Sequence, residues 1–164
     1  MRRIKTFHWR VQSVIFNFEH SRICLINVYH PTDPKIVNED DFNDDELNEV
    51  FNAIDKIRTS EDFDELIIAG DRNADFGRVN AYVNRVKKFD KERNLCYAWN
   101  KFDIDYTHIH TDDVSAAKLD HFLWTAGLDD HVVDGGVLHL TENLSRHSPI
   151  WIKLNVNDVK RNKE

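Results

Sequence analysis

The chain has 164 residues, the length of one folded domain, and 41% of them are hydrophobic, which is enough for a core. Its formal net charge of −7 excludes a protein that holds nucleic acid mainly through a broad basic surface, because such binding draws on many Lys and Arg contacts to phosphates. No stretch approaches the roughly 20 apolar residues of a membrane span, and the first residues lack the apolar core of a signal peptide.

The first elements along the chain predict an antiparallel hairpin followed by a helix. Two runs rich in β-branched and aromatic residues, 11–18 and 22–29, are separated by three polar residues that suit a turn. Pro31 and Pro34 end the second strand. The acidic residues 44–46 favour a helix entry, because the N-terminal end of a helix dipole attracts anions. After them, apolar residues recur at helical spacing at Leu47, Val50, Phe51, Ile54 and Ile57.

The second half of the chain predicts a strand and a helix, and then mostly strands. Residues 65–69 form a short apolar run that ends before Gly70, so Asp71 is placed at the carboxyl end of a strand. Residues 81–92 have the apolar spacing of a helix. Further strands are expected at 95–99, 106–110, 119–124, 132–139 and 149–156.

This order of elements predicts an α/β fold, a layered α/β sandwich of mixed or antiparallel sheets with outer helices. A doubly wound parallel sheet is disfavoured, because the opening hairpin breaks strict βαβ alternation. We see no interdomain linker, internal repeat or low-complexity tract, so residues 1–164 are expected to belong to a single domain.

The two cysteines and the basic ends of the chain bear on its environment. Cys24 and Cys96 lie far apart, each inside an apolar run, which favours buried thiols in a reducing compartment over a disulfide framework or a zinc knuckle. We therefore expect an intracellular protein. Basic residues gather at 1–5 and 160–163, where solvated tails are expected.

Polar groups suited to phosphodiester chemistry follow in order in the second half of the chain. Such cleavage needs a nucleophilic water, a cation near the non-bridging oxygens and help for the leaving oxygen. Asp71 can orient or deprotonate water, and Asn73 can bond a phosphate oxygen while staying uncharged. His147 can accept or donate a proton near neutral pH, and Asp120 can fix its tautomer.

Each candidate residue also has a structural alternative. Asp71 alone suits a turn or a cap, Asp120 and His147 suit a buried structural ion pair, and Tyr29 suits a packed aromatic with a bonded hydroxyl. His108 and His110 share one strand face, but no third metal ligand follows at a recognisable spacing. Core or edge packing is expected, ahead of base stacking, for the tryptophans Trp9, Trp99, Trp124 and Trp151.

The first half of the pattern resembles a known superfamily. Asn27-Val28-Tyr29-His30-Pro31 is similar to the Asn-x-Tyr-x-Pro strand of the endonuclease/exonuclease/phosphatase superfamily. Gly70-Asp71-Arg72-Asn73 is similar to its Gly-Asp-Phe-Asn motif, and Tyr106-Thr107 to the Tyr-Thr before its next catalytic strand. Within the superfamily, the likeness is to endonuclease domains of retrotransposons that lack long terminal repeats.

Two later phrases extend the resemblance. Lys118-Leu119-Asp120-His121-Phe122 is similar to the family's Ile-Asp-His/Tyr-Ile phrase, and Leu144-Ser145-Arg146-His147-Ser148-Pro149-Ile150 to its Leu-Ser-Asp-His motif. The resemblance covers roughly residues 11–156. The family's first strand, which carries an Asn, and a later strand ending in a metal-binding Glu have no counterpart, so a partial domain is expected.

The resemblance implies roles for the candidate residues. Asp71 would position the attacking water, Asn73 would contact phosphate, Asp120 would orient His147, and Tyr29 would lie beside the scissile phosphate. It implies Mg or Mn as cofactor, with Asp71, Asn73 and His147 as the available ligands, and DNA as the substrate. Phosphatases and ribonucleases share the same site, so the fold alone does not choose the substrate.

Departures from the family's pattern predict weak or lost activity. Mg²⁺ usually takes one or two protein carboxylates, and the missing Glu is the main one. Arg146 replaces the family's Asp before the His, and unit charges about 4 Å apart interact by about 4 kcal/mol at an effective dielectric near 20. Arg72 adds a second cation. Both arginines could bind substrate phosphate, so the alternative is a non-catalytic phosphate- or partner-binding module.

The missing strands also bear on partners. They would cover one edge or face of a sheet, so we expect an exposed apolar surface and association through it.

Overall fold

The computed structural model describes residues 4–32, 45–111, 114–157 and 159. Its strands and helices are, in chain order, β1 (Ile4–His8), β2 (Val11–Asn17), β3 (Arg22–Tyr29), α1 (Asp45–Ser60), β4 (Glu65–Asp71), α2 (Ala81–Glu92), β5 (Leu95–Tyr97), α3 (Ala98–Lys101), β6 (His108–Ile109), β7 (Ala116–Ala117), β8 (Asp120–Thr125), β9 (Val132–Val137) and β10 (Ile150–Leu154). A 3-10 helix, Ala126–His131, joins β8 to β9.

A six-stranded mixed sheet forms the centre of the fold, in the order β1-β2-β3-β4-β8-β5. β3 and β4 run parallel, as the helical crossover through α1 requires, and the other neighbours in this sheet are antiparallel. β9 pairs with β10 and β6 pairs with β7, each as a separate two-stranded sheet. The predicted α/β fold class with mixed sheets and helices is confirmed.

Helices α1 and α2 cover one face of the central sheet. Their apolar residues recur at helical spacing and join the strand residues that point the same way, such as Cys24, Ile26 and Val28 of β3. The rings of Phe51 and Phe89 stack between the two helices with centroids 3.9 Å apart. The twenty buried residues of this cluster make it the main core, and it holds the central strands in place.

The opposite face of the sheet is less completely covered. In the described part of the chain its cluster has eight buried hydrophobic residues, whereas ten others that pack on it are only partly buried. Leu25 of β3, Phe122 of β8 and Ile152 of β10 are among the partly buried ones. Association through an exposed apolar surface stays a prediction for this face.

Some predictions from the sequence differ from the structure or concern residues outside the described ranges. Residues 4 and 5 do not lie in a solvated tail, because Ile4–His8 pairs with β2 as an edge strand; residues 1–3 and 160–163 are outside the described residues. The strand expected at 95–99 ends at Tyr97, where a short helix begins. Pro34 is also outside the described residues.

The thiol expectation holds for one of the two cysteines. Cys24 is fully buried, and burial raises the pKa of its thiol to about 12, whereas Cys96 is half-buried. Among the described helices, none has the length and apolar character needed to cross a membrane.

Candidate active site

The ends of three neighbouring strands, β3, β4 and β8, lie together at one end of the central sheet. Because β3 and β4 are parallel, their carboxyl ends lie together, and Tyr29 is paired with Asp71. β8 runs antiparallel to β4, so its first residue, Asp120, is paired with Asp71 from the other side. The sheet topology therefore brings two carboxylates that are distant in sequence onto neighbouring strands.

His147 completes this group from the loop before β10. Its Nδ1 donates a hydrogen bond to Oδ2 of Asp120 at 2.8 Å, and its Nε2 lies 4.0 Å from Oδ2 of Asp71. The contact with Asp120 fixes the tautomer with the proton on Nδ1 when the ring is neutral. The Nε2 atom is thereby directed at Asp71 but is too far from it for a direct hydrogen bond.

The carboxylate of Asp71 is held by the turn that follows it. The backbone N–H of Asn73 donates to Oδ1 of Asp71 at 2.9 Å, and the Asn73 side chain donates from Nδ2 to the carbonyl of His30 at 2.8 Å. Asn73 has a φ of 47°, a left-handed conformation that Asn tolerates better than most residues. The turn fixes Asp71, and the bond to His30 uses one of the two Nδ2–H donors of Asn73.

Burial raises the pKa of the Asp71 carboxyl above its ordinary value. The N–H of Asn73 opposes this shift, the nearby negative charge of Asp120 adds to it, and His147 opposes it. A carboxylate with a raised pKa is a better proton acceptor, which suits a group that activates water. Asp71 therefore has the environment expected of a general base.

Thr107 ties the parts of the site together. Its buried Oγ1 accepts hydrogen bonds from the backbone N–H groups of Leu119 at 2.9 Å and Asp120 at 3.0 Å. Its carbonyl accepts from the N–H of Ser148 at 2.7 Å. Thr107 thus fixes the start of β8 against the His147 loop, a role that sequence reasoning missed although the Tyr106-Thr107 phrase pointed to it.

Comparison with solved structures shows which fold the chain has. The endonuclease domain of TRAS1, a telomere-specific non-LTR retrotransposon, matches with a TM-score of 0.69 and 16% identity, over 94% of this chain and 63% of that one. An AP endonuclease from Archaeoglobus fulgidus matches with a TM-score of 0.68 and 19% identity, over 90% of this chain and 65% of that one. The chain has the endonuclease/exonuclease/phosphatase fold.

A third structure of this fold is the 3′ phosphatase NExo from Neisseria bound to a product DNA hairpin, with a TM-score of 0.61 and 15% identity over 89% of this chain. The chain spans less than two thirds of the length of each of these three structures. No protein-family model and no curated protein matches it. The resemblance drawn from the five sequence phrases is confirmed at the level of the endonuclease/exonuclease/phosphatase fold.

The side chain of Arg72 lies in the core and not at the candidate site. Its side chain has 0% exposure, and its Nη2 donates to Oδ1 of Asp90 of α2 at 2.8 Å. Successive residues at the end of a strand point to opposite faces, so Asp71 faces the site while Arg72 enters the core. The substrate-binding role expected for Arg72 does not fit this position, because a fully buried guanidinium cannot touch a substrate.

Arg146 lies on the surface next to His147. Its Nη1 donates to the carbonyl of His110 at 2.6 Å, and its own carbonyl accepts from the N–H of Ile109 at 3.0 Å. These bonds hold the His147 loop against β6. A phosphate-binding role for Arg146 stays a prediction.

Aromatic residues line the edge of the site next to Asp71. Tyr29 is 44% exposed, so its ring is not the packed aromatic of the structural alternative. The guanidinium carbon of Arg10 lies 4.8 Å from the centroid of the Tyr29 ring and 3.9 Å from that of Trp9. Trp9 is 64% exposed, which differs from the packing expected for it.

His108 stands beside His147. Their ring centroids are 4.5 Å apart, and the His110 ring is 4.9 Å from that of His108. Burial lowers the pKa of His108, and the neighbouring His147 and His110 lower it further. The lowered pKa favours the neutral form of His108, which packs against the imidazole of His147.

The donors present do not fit a dedicated divalent-cation site. Within the described ranges, no three His, Cys, Asp or Glu residues are placed to share a metal ion. The carboxylate of Asp120 is hydrogen-bonded to His147, so Asp71 is the carboxylate of this group that is available to bind a cation. Mg²⁺ bound by protein usually takes one or two carboxylates and several waters.

Weak metal binding gives a measurable expectation. A ligand that binds only the folded state stabilises it by RT ln(1 + [L]/Kd), so a weakly bound cation stabilises it little. Addition of about 5 mM MgCl₂ or MnCl₂ is therefore expected to change the melting temperature by less than about 1 °C. Differential scanning fluorimetry with and without the salts checks this. A rise of several degrees that Asp71→Asn removes would show a real cation site.

Proposed function

We propose that the chain is a DNA phosphodiesterase of the endonuclease type whose turnover is slow. The observation that carries the proposal is the convergence of Asp71, Asp120 and His147, with His147 hydrogen-bonded to one carboxylate and facing the other. Neighbours of the same fold include AP endonucleases and a phosphatase bound to a DNA hairpin, which supports DNA as the substrate class.

The side chains divide the chemistry between them. Asp71, whose pKa is raised by burial, accepts the proton of the attacking water. The second Nδ2–H of Asn73, beyond the one that His30 accepts, donates to a phosphate oxygen. As water attacks phosphorus and the bond to the leaving oxygen breaks, the protonated His147 ring donates its Nε2 proton to that oxygen, while Asp120 holds the ring from Nδ1. Tyr29 contacts the phosphate, and its exposure and its pairing with Asp71 support this role.

Slow turnover follows from what surrounds these groups. The described residues offer no set of ligands that would hold a cation at the phosphate, so that source of charge stabilisation is weak. Arg146 next to His147 adds a positive side chain where the family pattern has a carboxylate. The same cation that disfavours a metal can attract a phosphate.

Plasmid nicking with point variants tests the proposal. In excess MgCl₂ or MnCl₂, the wild type is expected to nick supercoiled DNA slowly, and Asp71→Asn and His147→Gln are expected to lose about 10²-fold or more of that rate, as is typical of a lost acid or base. Lys88→Gln is the control, because Lys88 is exposed on α2 and pairs only with Glu92 among the described residues.

Three outcomes are informative. Nicking that survives in both Asp71→Asn and His147→Gln would contradict the assignment of the site. A nicking rate equal to that of active endonucleases would contradict slow turnover. A wild type that binds an oligonucleotide without nicking would favour the second candidate.

The second candidate is a non-catalytic phosphate-binding module. The exposed position of Arg146 on the His147 loop favours it, whereas the burial of Arg72 removes the other arginine first expected to contribute. Oligonucleotide affinity of the wild type and of Arg146→Ala, measured without metal, decides the matter. Equal and negligible binding by both proteins would reject this candidate.

A further inference from the structure

An open cleft of about 810 Å³ lies outside the candidate active site. The loop after β4, helix α2, strand β5 and Lys118 form its walls. Asp71, Asn73 and His147 are not among its lining residues. Its volume is in the range of pockets that hold small organic ligands, about 300–1,000 Å³.

The floor of the cleft is aromatic and firmly held. Phe76 is buried and stacks on His121 with centroids 4.4 Å apart at 15°. Tyr97 and Trp99 are half-buried with centroids 5.3 Å apart, and the Tyr97 hydroxyl donates to Asp90 at 3.2 Å. Such a pre-formed floor suits a flat, largely apolar ring, because no side chain needs to be ordered on binding.

The rim of the cleft is basic. Lys87, Lys91 and Lys118 line it. The ammonium of Lys87 already donates a hydrogen bond to the carbonyl of Phe76 at 2.8 Å. Among the described residues, the ammonium groups of Lys91 and Lys118 have no ion-pair partner within 4.0 Å. Two ammonium groups on one rim, without an ion-pair partner among the described residues, attract an anion.

This local charge is opposite in sign to that of the whole chain, which carries −7. The one acidic lining residue, Asp75, is already occupied, because its carboxylate accepts from the N–H of Gly77 at 3.1 Å and lies 3.3 Å from Nε of Arg78. The exposed amides of Asn94 and Asn100 add hydrogen-bonding groups at the rim. A ligand that matches all three features is planar, able to form hydrogen bonds, and anionic at one end.

We propose that this cleft binds a nucleotide, with the base against Tyr97 and Trp99 and the phosphate at Lys91 and Lys118. Base stacking on aromatic side chains is worth about 1–3 kcal/mol per base, and Lys is a common phosphate partner. The nucleotide is either free or part of a DNA strand. Binding at the cleft does not require an active Asp71 site, because a different set of residues lines the cleft.

Titration calorimetry with dAMP and with a single-stranded DNA 12-mer tests the assignment. The wild type is expected to bind at least one of them, and the double variant Lys91→Glu, Lys118→Glu is expected to bind at least about tenfold more weakly. Lys88→Glu is the control for Lys91, because it makes the same single Lys-to-Glu change on the same helix outside the cleft, and its affinity should equal that of the wild type. Far-ultraviolet circular dichroism confirms that the variants fold.

The arms of the experiment separate the ligand sources. Binding of dAMP that depends on the two lysines identifies a free nucleotide, whereas lysine-dependent binding of the 12-mer alone identifies a strand. Adenosine and inorganic phosphate should each bind more weakly than dAMP if base and phosphate are both recognised. Equal affinity of the double variant and the wild type, or no binding of either probe, would overturn the proposal.

A variant at the other site keeps the two proposals apart. Asp71→Asn should slow nicking by about 10²-fold or more and leave binding of the probe at the cleft unchanged, because Asp71 does not line it. Loss of that binding in Asp71→Asn would place the ligand at the candidate active site and overturn the separate cleft.

Discussion

Replacement of Arg72 by Met is expected to lower the free energy of unfolding by about 3–5 kcal/mol, since it leaves the charge of Asp90 buried without its partner. Both side chains have 0% exposure. Burial raises the pKa of Asp90 above its ordinary value even though Arg72 opposes the shift. In the variant, the hydroxyl of Tyr97 is the remaining donor to Asp90 among the described contacts.

The double variant Arg72→Met, Asp90→Leu is the matched comparison. It removes both charges together, so it is expected to be clearly more stable than Arg72→Met alone. Two further nitrogens of Arg72, Nε and Nη1, are buried without a hydrogen bond in the structure, which limits how much the native pair stabilises the fold. Urea denaturation of the three proteins measures these differences. A single variant as stable as the wild type would contradict a buried ion pair.

Acid is expected to destabilise the protein steeply below about pH 6.5. His30 and His121 are buried, and burial lowers the pKa of His121 to about 3 and that of His30 well below its usual value, with the positive charge of Arg72 adding to both shifts. The unfolded chain takes up protons on these rings as the pH falls through about 6.5, whereas the folded chain does not. Each histidine therefore removes about 1.4 kcal/mol of stability per pH unit in this range.

Urea denaturation between pH 7 and 5 measures this slope. Both nitrogens of His30 are buried without a hydrogen bond, so His30→Phe removes a titrating ring at little cost in hydrogen bonding and should reduce the wild-type slope by about 1.4 kcal/mol per pH unit. His20→Phe is the control, because His20 is exposed in the turn between β2 and β3. Identical slopes for the wild type and His30→Phe would show that His30 is protonated in the folded protein.

Sequence periodicity was sufficient to predict most of the central elements. Helix α2 lies at residues 81–92, as its apolar spacing indicated, and the apolar run of β4 delivers Asp71 to the end of a strand. The edge strand β1 was missed because it is short, partly basic and held mainly by pairing with β2. Such pairing is a tertiary effect that local sequence does not show.

The candidate site was predictable in its residues but not in its contacts. The order of the phrases indicated that Asp71, Asp120 and His147 belong together. The 2.8 Å bond between Asp120 and His147, however, depends on the hydrogen bond that holds the His147 loop to Thr107. The direction of Arg72 was within reach of sequence reasoning, since it follows Asp71 at the end of a strand and alternation points it to the other face.

A double-mutant comparison of DNA nicking tests most directly whether Asp120 acts through His147 in one phosphodiesterase unit. The rates of the wild type, Asp120→Asn, His147→Gln and the double variant are compared in single-turnover assays. Residues that act as a unit give losses that do not multiply, so the double variant is expected to be no slower than His147→Gln alone. A double variant slower by the product of the two single losses, or single variants with wild-type rates, would contradict this account of the site.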